Sequence, residues 1–531
     1  MLSPSEYDHL CDQLMTLYDE LDQAIINDMV RRMMRMGKAT DATAWQVKQL
    51  QESGLLYDDI LSEIASRTDA TEAQVRSLFE DAGIQSVRND NRYYKAGGLE
   101  GIVRLSDAAL QTLNAGYVKC NGNLKNLTLT TANTAQEAYL RACDLAYMEV
   151  STGTMDYGTA IRRAVESAAS EGAWVLYPSG HRDRLDVAVR RSALTGVGQT
   201  VRQLSVINAN DMGCDLMEIT AHAGARPTHA EWQGQLVSLS GKNAGRKIDG
   251  ARVYSLKEIG YGTGDGFGGW NCRHDWFPFF EGISSRAYSD ERLKELNARN
   301  IEYDGKMYTE YEIDQMQRAL ERDIREKKRK VSAADTAVKN APDEVTAKQM
   351  SDMFTKESVK LKKAEKKLSD FLGQTGNLPD STRVWVNGFG RSTAQKAVWA
   401  NRRTELMKDL TSKDFNDIIP LKGKLSSADV RKWYVAHDKK IPELIDRSKS
   451  IEEQARQACE LRNTFRTQAR DLMEDQAARS VLDKTDPNQS FEELVKGKME
   501  RKNMSYDEAV ADVLETATKT RKSVNKKFGL E

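Results

Sequence analysis

One stretch of the chain, residues 221–282, brings together several side chains that could bind a metal ion or attack a substrate. Three of the six histidines and three of the eight tryptophans fall there, around a single cysteine. His222, His229, Cys272 and His274 offer three imidazoles and one thiolate, a ligand set that suits zinc. No Cys-x-x-Cys pair is present, so the chemistry of these residues supports a zinc site better than their spacing does.

A phosphate-binding loop is a second interpretation of the same stretch. Gly264 to Gly269 reads GDGFGG and satisfies the pattern GxGxxG. That fingerprint normally leaves a strand and opens a helix whose amides meet a pyrophosphate. Here Trp270 follows at once and Pro278 comes soon after, so tight turns and close backbone approach explain the glycines better.

A nucleophilic thiol and a purely structural loop are the remaining interpretations. Arg273 and His274 stand beside Cys272, and cationic neighbours can lower the pKa of a thiol, but the sequence identifies no third group to orient them. In a structural loop, His229 and His274 would bond to backbone groups and Cys272 would pack as a small apolar side chain. Nearby aromatic side chains would fasten the loop to its own domain or to a neighbouring subunit: Trp270, Trp276, Phe277, Phe279 and Phe280.

The composition predicts a large protein whose surface is not positively charged overall. A chain of 531 residues with 40% hydrophobic residues can build two to four cores. The 78 Lys and Arg nearly balance the 79 Asp and Glu, which argues against a globally basic nucleic-acid-binding surface. Two local basic segments, residues 325–330 and 519–527, could contact DNA phosphates or simply form solvated faces.

The cysteines and the N-terminus predict a cytoplasmic site of synthesis. The cysteines are scattered singly, without a disulfide framework, which favours a reducing compartment. Glu6 and Asp8 stand where a signal peptide would carry basic and apolar residues. No stretch approaches the roughly 18 apolar residues of a membrane helix, so we expect no membrane association.

Helical periodicity fills the first 212 residues. Residues 1–85 form an N-terminal helical segment with one apolar stripe, and Asp69–Glu72 indicates a second helix start within it. Four methionines of this segment could form an adaptable docking surface or fill a core: Met29, Met33, Met34 and Met36. Residues 86–212 form a second helical domain, which contains a short apolar run and a Pro-Ser-Gly turn.

A mixed domain and further helices follow. Residues 213–305 contain three short strand-like runs, at Leu216–Thr220, Gln235–Leu239 and Arg252–Leu256, separated by glycine turns. Residues 306–375 form a helical hairpin, which opens on a capping box at Thr309–Glu312. The fold class is therefore α+β, predominantly helical, with a small mixed α/β central domain flanked by long helical segments.

The last third of the chain is predicted to be a connector and a helical domain. Residues 376–405 read as a strand-helix connector, with the strand at Val384–Gly388. Residues 406–531 form a helical C-terminal domain. Its helix starts are marked by serine caps followed by acidic residues, at Ser426, Ser490 and Ser505.

The amino-acid sequence of several segments resembles the phage minor capsid protein 2 family, which is related to the Mu F-like head morphogenesis proteins of tailed phages. The resemblance covers roughly residues 86–400. The segments that carry it are Tyr177–Arg182, Asp186–Arg191, Leu194–Val197, Ala221–Gly241, Gly260–Gly282 and Gly388–Ser392. Its defining residues are Arg226, Pro227, His229, Trp232, Gly234, Gly269, Trp270, Asn271, Cys272, Arg273, His274 and Pro278.

This resemblance implies a non-enzymatic structural protein of a phage head. It implies a low-copy protein associated with the portal and with head assembly. We further expect several copies in each virion, docking to the portal or inner head through the N-terminal helical segment, contact with the major capsid protein, and non-specific contact of basic residues with packaged DNA. The resemblance supplies no catalytic residue and no cofactor. The zinc hypothesis therefore depends only on the ligand chemistry of the histidines and the cysteine. Two other functions are a toxin-like effector enzyme delivered with the DNA, whose chemistry would lie after residue 400, and a DNA-contacting internal scaffold.

Overall fold

The computed structural model of the protein describes residues 1–2, 6–7, 10–37, 42–171, 173–410, 426–473 and 475–518. Two compact units divide the chain, Met1–Ala397 and Val398–Glu531. Helices predominate among the described residues and short strands lie in the first unit, which confirms the predicted fold class. Across these ranges, no helix combines the length and the apolar composition needed to cross a membrane. The finer division at residues 85, 212, 305, 375 and 405 stays a prediction.

Among the described residues, five long helices form the first part of unit 1. They are α1 (Asp12–Arg35), α2 (Ala42–Ala96), α3 (Asp107–Ser151), α4 (Tyr157–Glu171) and α5 (Leu185–Asp211). The apolar stripe predicted for the first segment is confirmed, because Leu14, Leu21 and Ile25 of α1 are all buried. The four methionines at positions 29, 33, 34 and 36 are buried too, so they fill the core and do not form a docking surface.

Helix α2 runs through Asp69–Glu72 without a break, so the helix start predicted there is wrong. Asp69 is exposed, and a short polar side chain that points to water does not interrupt a helix. Apolar residues are buried on both sides of this point, Ile60 before it and Val75 after it. Continuous packing therefore overrides the local capping signal.

A hairpin precedes α5. Its strands β1 (Trp174–Leu176) and β2 (Arg182–Arg184) are antiparallel. The predicted Pro-Ser-Gly turn closes it: the amide of Tyr177 donates to the carbonyl of His181 at 2.9 Å, and Gly180 has a φ of +80°. That positive φ suits glycine at the turn.

The predicted mixed domain contains a five-stranded sheet. Its strands are β3 (Leu216–Ile219), β4 (Leu236–Ser238), β5 (Lys247–Ile248), β6 (Ala251–Ser255) and β7 (Trp276–Pro278), and a short helix, α6 (Pro227–Ala230), lies between β3 and β4. The three strands predicted from the sequence correspond to β3, β4 and β6. The order is β5-β6-β4-β3-β7; β4 and β6 are parallel and every other neighbouring pair is antiparallel. The loop between β6 and β7 therefore returns to the opposite edge of the sheet beside β3.

A helical hairpin follows the mixed region, as predicted. The intervening elements are α7 (Asp290–Leu296), β8 (Ile301–Tyr303) and β9 (Lys306–Tyr308), and the hairpin consists of α8 (Glu310–Lys339) and α9 (Glu344–Thr375). The predicted capping box is confirmed: the Thr309 hydroxyl accepts from the amide of Glu312, whose carboxylate accepts from the amide of Thr309.

The predicted strand at Val384–Gly388 is wrong. A 3₁₀ turn, Thr382–Val384, and an irregular segment occupy this region, and α10 (Arg391–Leu410) follows. In this region, side chains and not a neighbouring strand form the hydrogen bonds to the backbone amide and carbonyl groups. Lys328 donates to the carbonyl of Val384 at 2.6 Å, and the amide of Asn387 donates to the carboxylate of Asp19.

The basic segment 325–330 does not form a simple solvated face. Arg329 is 3% exposed and pairs with Asp19, Asp22 and Asp186, and Arg325 pairs with Asp186 at 3.1 Å. Burial alone would raise the pKa of Asp186, but these arginines hold it below its ordinary value. Both arginines are engaged inside the protein, so they cannot be the DNA contact considered for this segment.

The second unit is helical, as predicted for the C-terminal domain. Its described helices after α10 are α11 (Ser427–Leu444), α12 (Ile451–Leu472), α13 (Gln476–Thr485), α14 (Phe491–Lys502) and α15 (Tyr506–Thr518). The predicted starts are confirmed, since the hydroxyls of Ser426, Ser490 and Ser505 each accept an amide of the first turn. The basic tail predicted at 519–527 lies outside the described residues.

Candidate functional site

Three of the four predicted metal ligands meet beside the central sheet. His229 comes from α6, and Cys272 and His274 come from the loop that leads into β7. The Nδ1 atoms of His229 and His274 are 3.4 Å apart. Cys272 Sγ lies 3.9 Å from Nδ1 of His229 and 3.8 Å from Nδ1 of His274. One ligand atom from each of the three buried residues thus faces a common point.

The outer nitrogens of both imidazoles are bonded to oxygen atoms. Nε2 of His229 lies 2.8 Å from the carbonyl oxygen of Asp265, which can only accept a hydrogen bond. Nε2 of His274 lies 3.2 Å from Oε1 of Gln233. That oxygen also accepts from the backbone amide of His222 at 3.1 Å, which fixes the orientation of the Gln233 amide. Both Nε2 atoms are therefore donors.

Both imidazoles are neutral at neutral pH. Burial lowers the pKa of His229 to about 4, although the hydrogen bond to Asp265 opposes the shift. Burial, with further contributions from His222 and His229, lowers the pKa of His274 well below its ordinary value. A neutral imidazole that carries its proton on Nε2 has a lone pair on Nδ1. Two lone pairs and a thiol thus converge on one small volume.

His222, the fourth predicted ligand, lies beside this group and is not part of it. Its ring packs at a tilt of 33° against that of His274, with the centroids 4.3 Å apart. Its Nδ1 lies 2.7 Å from the carbonyl oxygen of Ala223. His222 therefore supports the ring of His274 from one side.

The upstream signature residues surround His229. Arg226 precedes α6 and donates to the carbonyl of Trp270 at 2.6 Å, and Pro227 is the first residue of the helix. Trp232 is buried, with its ring 4.5 Å from that of His229 and 4.9 Å from that of His274. Gly234, with a φ of +66°, donates its amide to the carbonyl of Ile219 at the end of β3.

The downstream signature residues form the turn that presents Cys272. Gly269 and Trp270 precede it, and Trp270 is 62% exposed, unlike the buried Trp276, Phe277 and Phe279. Asn271 has a φ of +54°, a left-handed conformation that few residues other than glycine adopt. The remaining signature residues are Arg273, which lines a cavity beside the cluster, and Pro278, which ends β7.

Arg202 of α5 positions the loop, and sequence reasoning missed it. Its buried guanidinium donates to the carbonyl oxygens of Cys272, at 3.0 Å, and His274, at 2.8 Å. The same group lies over the rings of Tyr7 and Phe267. The sequence gives one signal of this positioning role: Arg202 lies on the apolar side of a helix, four residues after Gly198.

A cavity of about 660 Å³ opens beside the cluster. Its wall includes His229, Cys272 and His274 together with many arginines. The arginines are Arg190, Arg191, Arg226, Arg273, Arg318, Arg322, Arg325 and Arg383. Five acidic residues also line it: Asp12, Asp19, Asp186, Asp314 and Glu321. Four of these arginines are engaged in ion pairs: Arg190 with Asp12, Arg325 with Asp186, Arg191 with Asp183 and Arg383 with Asp380. The wall of the cavity is therefore a surface of mixed charge.

The geometry discriminates among the chemical interpretations. The GDGFGG segment leads into turns and β7, with no helix whose amides could hold a phosphate. A thiol–imidazole pair with a third orienting group is present in Cys272, His274 and Gln233, but such a pair needs only one imidazole. The second Nδ1, from His229, favours a metal site over a catalytic thiol.

Comparisons with known proteins point to phage heads. A family model described as phage minor capsid protein 2 matches residues 2–373. The match includes the first 85 residues, where the resemblance in sequence was weak, and ends before the segment at residues 388–392. A curated relative, called a structural protein, from Lactococcus phage LL-H is 24% identical over 313 residues, covering 56% of this chain and 79% of the relative. No solved structure matches the chain.

Proposed function

Because the chain belongs to the phage minor capsid protein 2 family, and is therefore a virion component, we propose that it is a structural protein of the inner head of a tailed phage that binds the portal protein. The family match over residues 2–373 carries this proposal. It falls entirely within unit 1, Met1–Ala397. Unit 1 is accordingly the part to which we assign head assembly, in several copies per particle, after synthesis in the cytoplasm of the host bacterium.

We assign the portal contact to an apolar anchor on unit 1. A surface groove of about 1390 Å³ runs between α3 and α5 and is closed at one end by the β1–β2 hairpin. Trp270 and Leu176 line it with 62% and 45% of their surfaces exposed. The backbone of Trp270 is held by Arg226, so the ring is presented by a rigid loop. Exposed aromatic residues on rigid supports are typical binding hot spots.

The proposed role involves no catalysis. In unit 2, the residues that could have supported an effector enzyme are packed into the helices. The His437 ring contacts those of Trp433 and Phe465, and Cys459 is buried with its Sγ 3.4 Å from the carbonyl of Gln489. A contact with the major capsid protein is a further part of the proposal. Packaged DNA would meet exposed basic residues other than Arg325 and Arg329.

The experiment is a quantitative analysis of purified virions combined with portal binding. We expect several copies per particle, and capture of the purified portal protein by the intact chain. Trp270→Ala should weaken this capture at least tenfold. Trp399→Ala is the matched control, because Trp399 is 47% exposed and lies beyond the family match. Virions that lack the protein would overturn the proposal, and equal loss in both variants would reject the assigned anchor.

A further inference from the structure

We propose that His229, Cys272 and His274 bind one zinc ion, through the two Nδ1 atoms and Sγ, with a fourth position open to the arginine-lined cavity. This inference goes beyond the role in the phage head and does not depend on the portal contact. It rests on distances and hydrogen bonds within unit 1.

The distances fit tetrahedral coordination. Zinc binds nitrogen at about 2.0–2.1 Å and sulfur at about 2.3 Å, which places two nitrogen ligands about 3.3 Å apart and nitrogen about 3.6 Å from sulfur. The observed separations are 3.4 Å between the nitrogens and 3.8 and 3.9 Å to the sulfur. The three ligand atoms thus already stand close to one triangular face of a zinc tetrahedron.

The hydrogen bonds around the imidazoles also favour a cation between the two Nδ1 atoms. Asp265 and Gln233 take the Nε2 protons, so neither Nδ1 carries one in the neutral ring. The single thiol proton of Cys272 can satisfy only one of the two facing nitrogens. A divalent cation satisfies both, converts the thiol to a thiolate, and makes Asp265 and Gln233 the outer supports that metal-bound histidines usually have.

The fourth coordination position of the zinc ion would be filled by a ligand other than these three residues. His222 is not part of the group: its ring packs at a tilt against that of His274, and its Nδ1 lies 2.7 Å from the carbonyl oxygen of Ala223. The open side is the cavity, whose wall includes Arg226 and Arg273. A water molecule or an anionic oxygen fits this position. The zinc ion would tie α6 to the loop before β7.

The test is metal analysis of the full-length chain, expressed without a polyhistidine tag. We expect about one zinc per chain. Cobalt reconstitution should give intense visible bands of tetrahedral geometry and a near-ultraviolet thiolate-to-cobalt charge-transfer band. Cys272→Ser should lose the charge-transfer band and reduce zinc content at least tenfold. Cys214→Ser is the matched control, because Cys214 is also buried beside the sheet and its Sγ lies 3.2 Å from the carbonyl of Leu216.

Two results would overturn the site. One is wild-type protein that binds neither zinc nor cobalt, and the other is a cobalt complex without thiolate charge transfer. Both are read on the wild-type chain, so they decide the matter even if Cys272→Ser fails to fold. Equal metal loss in Cys272→Ser and Cys214→Ser, with circular dichroism showing both folded, would also reject the assignment.

Discussion

The guanidinium of Arg202 donates to the backbone carbonyl of His274, with Nε and the oxygen 2.8 Å apart. The two residues are 72 positions apart in sequence, and the bond fixes the loop before β7 to helix α5. A second bond, to the carbonyl of Cys272, holds the same loop two residues earlier. The candidate ligands are therefore positioned by a buried helix residue that is not itself a ligand.

Arg202→Met should lower the free energy of unfolding by about 2–4 kcal/mol, because buried carbonyl oxygens lose their charged donor. Zinc affinity should also fall, by about 10- to 100-fold, since Arg202 supports the ligands from outside. Urea denaturation and competition with a zinc chelator measure the two effects. Arg252→Met is the control: Arg252 is 49% exposed and should change neither quantity appreciably. Unchanged zinc affinity in a folded Arg202→Met protein would reject the positioning role.

The buried arginine of α8 makes a second prediction. Arg329→Met should destabilise unit 1 by about 3–5 kcal/mol, because Asp19, Asp22 and Asp186 would lose their shared cationic partner. The measurement is urea denaturation of the full chain, followed by tryptophan fluorescence. Arg292→Met breaks an exposed pair with Glu295 and should cost less than about 1 kcal/mol. Similar small effects for both variants would mean that the buried network contributes little.

Local signals predicted several helix starts correctly, although continuous packing overrides the one at Asp69–Glu72. The capping pairs that begin with Thr309 and Ser490 mark helix starts correctly, because a cap depends only on residues three positions apart. The cluster of Cys272 and His274 with His229 followed from ligand chemistry. The sequence could not place His222 outside that cluster, because its position depends on how the loop after β3 turns.

Long-range pairings could not be predicted. Arg329 meets Asp22 across more than 300 residues, and nothing in the run REKKRK distinguishes its buried arginines from its exposed positions. The same limit explains the wrong strand at Val384–Gly388. Its apolar alternation is that of a strand, but Lys328 and Asp19 from distant helices satisfy its backbone instead.

Glu218 of β3 should make stability depend on pH. Burial raises the pKa of Glu218 to about 7 from an ordinary value of 4.5, although the Ala287 amide donates to its carboxyl at 2.9 Å. The folded state then binds the proton more tightly than the unfolded state does. The stabilisation is fully present below pH about 4.5 and is lost as pH rises through about 7, by at most about 3 kcal/mol.

Glu218→Gln should remove this slope, because a neutral amide still accepts from Ala287 at every pH. Urea denaturation between pH 4.5 and 8 measures it, with the variant gaining on the wild type toward the alkaline end. Glu302→Gln, at an exposed position on β8, should leave the slope in place. The buried His229 and His274 contribute stability of opposite sign over the same interval, so the test is the difference between Glu218→Gln and the wild type. A difference that does not change with pH would contradict the prediction.

The last prediction compares a glycine-to-alanine change in the glycine segment before Cys272 with one in helix α9. The two changes should have opposite effects on the free energy of unfolding. A Cβ on Gly266 would stand 2.2 Å from the carbonyl oxygen of Gly260 and 2.6 Å from Oγ1 of Thr263, so the backbone must shift. Gly266→Ala should therefore cost about 1–3 kcal/mol and displace the loop that carries the ligands. Gly373→Ala, inside α9 with nothing within 4 Å of its Cβ, should stabilise by about 0.5–1 kcal/mol. Thermal unfolding of both variants measures this. A Gly266→Ala protein as stable as the wild type would show that the segment can accommodate a Cβ at this position. The tight turn would then not be the feature that positions Cys272.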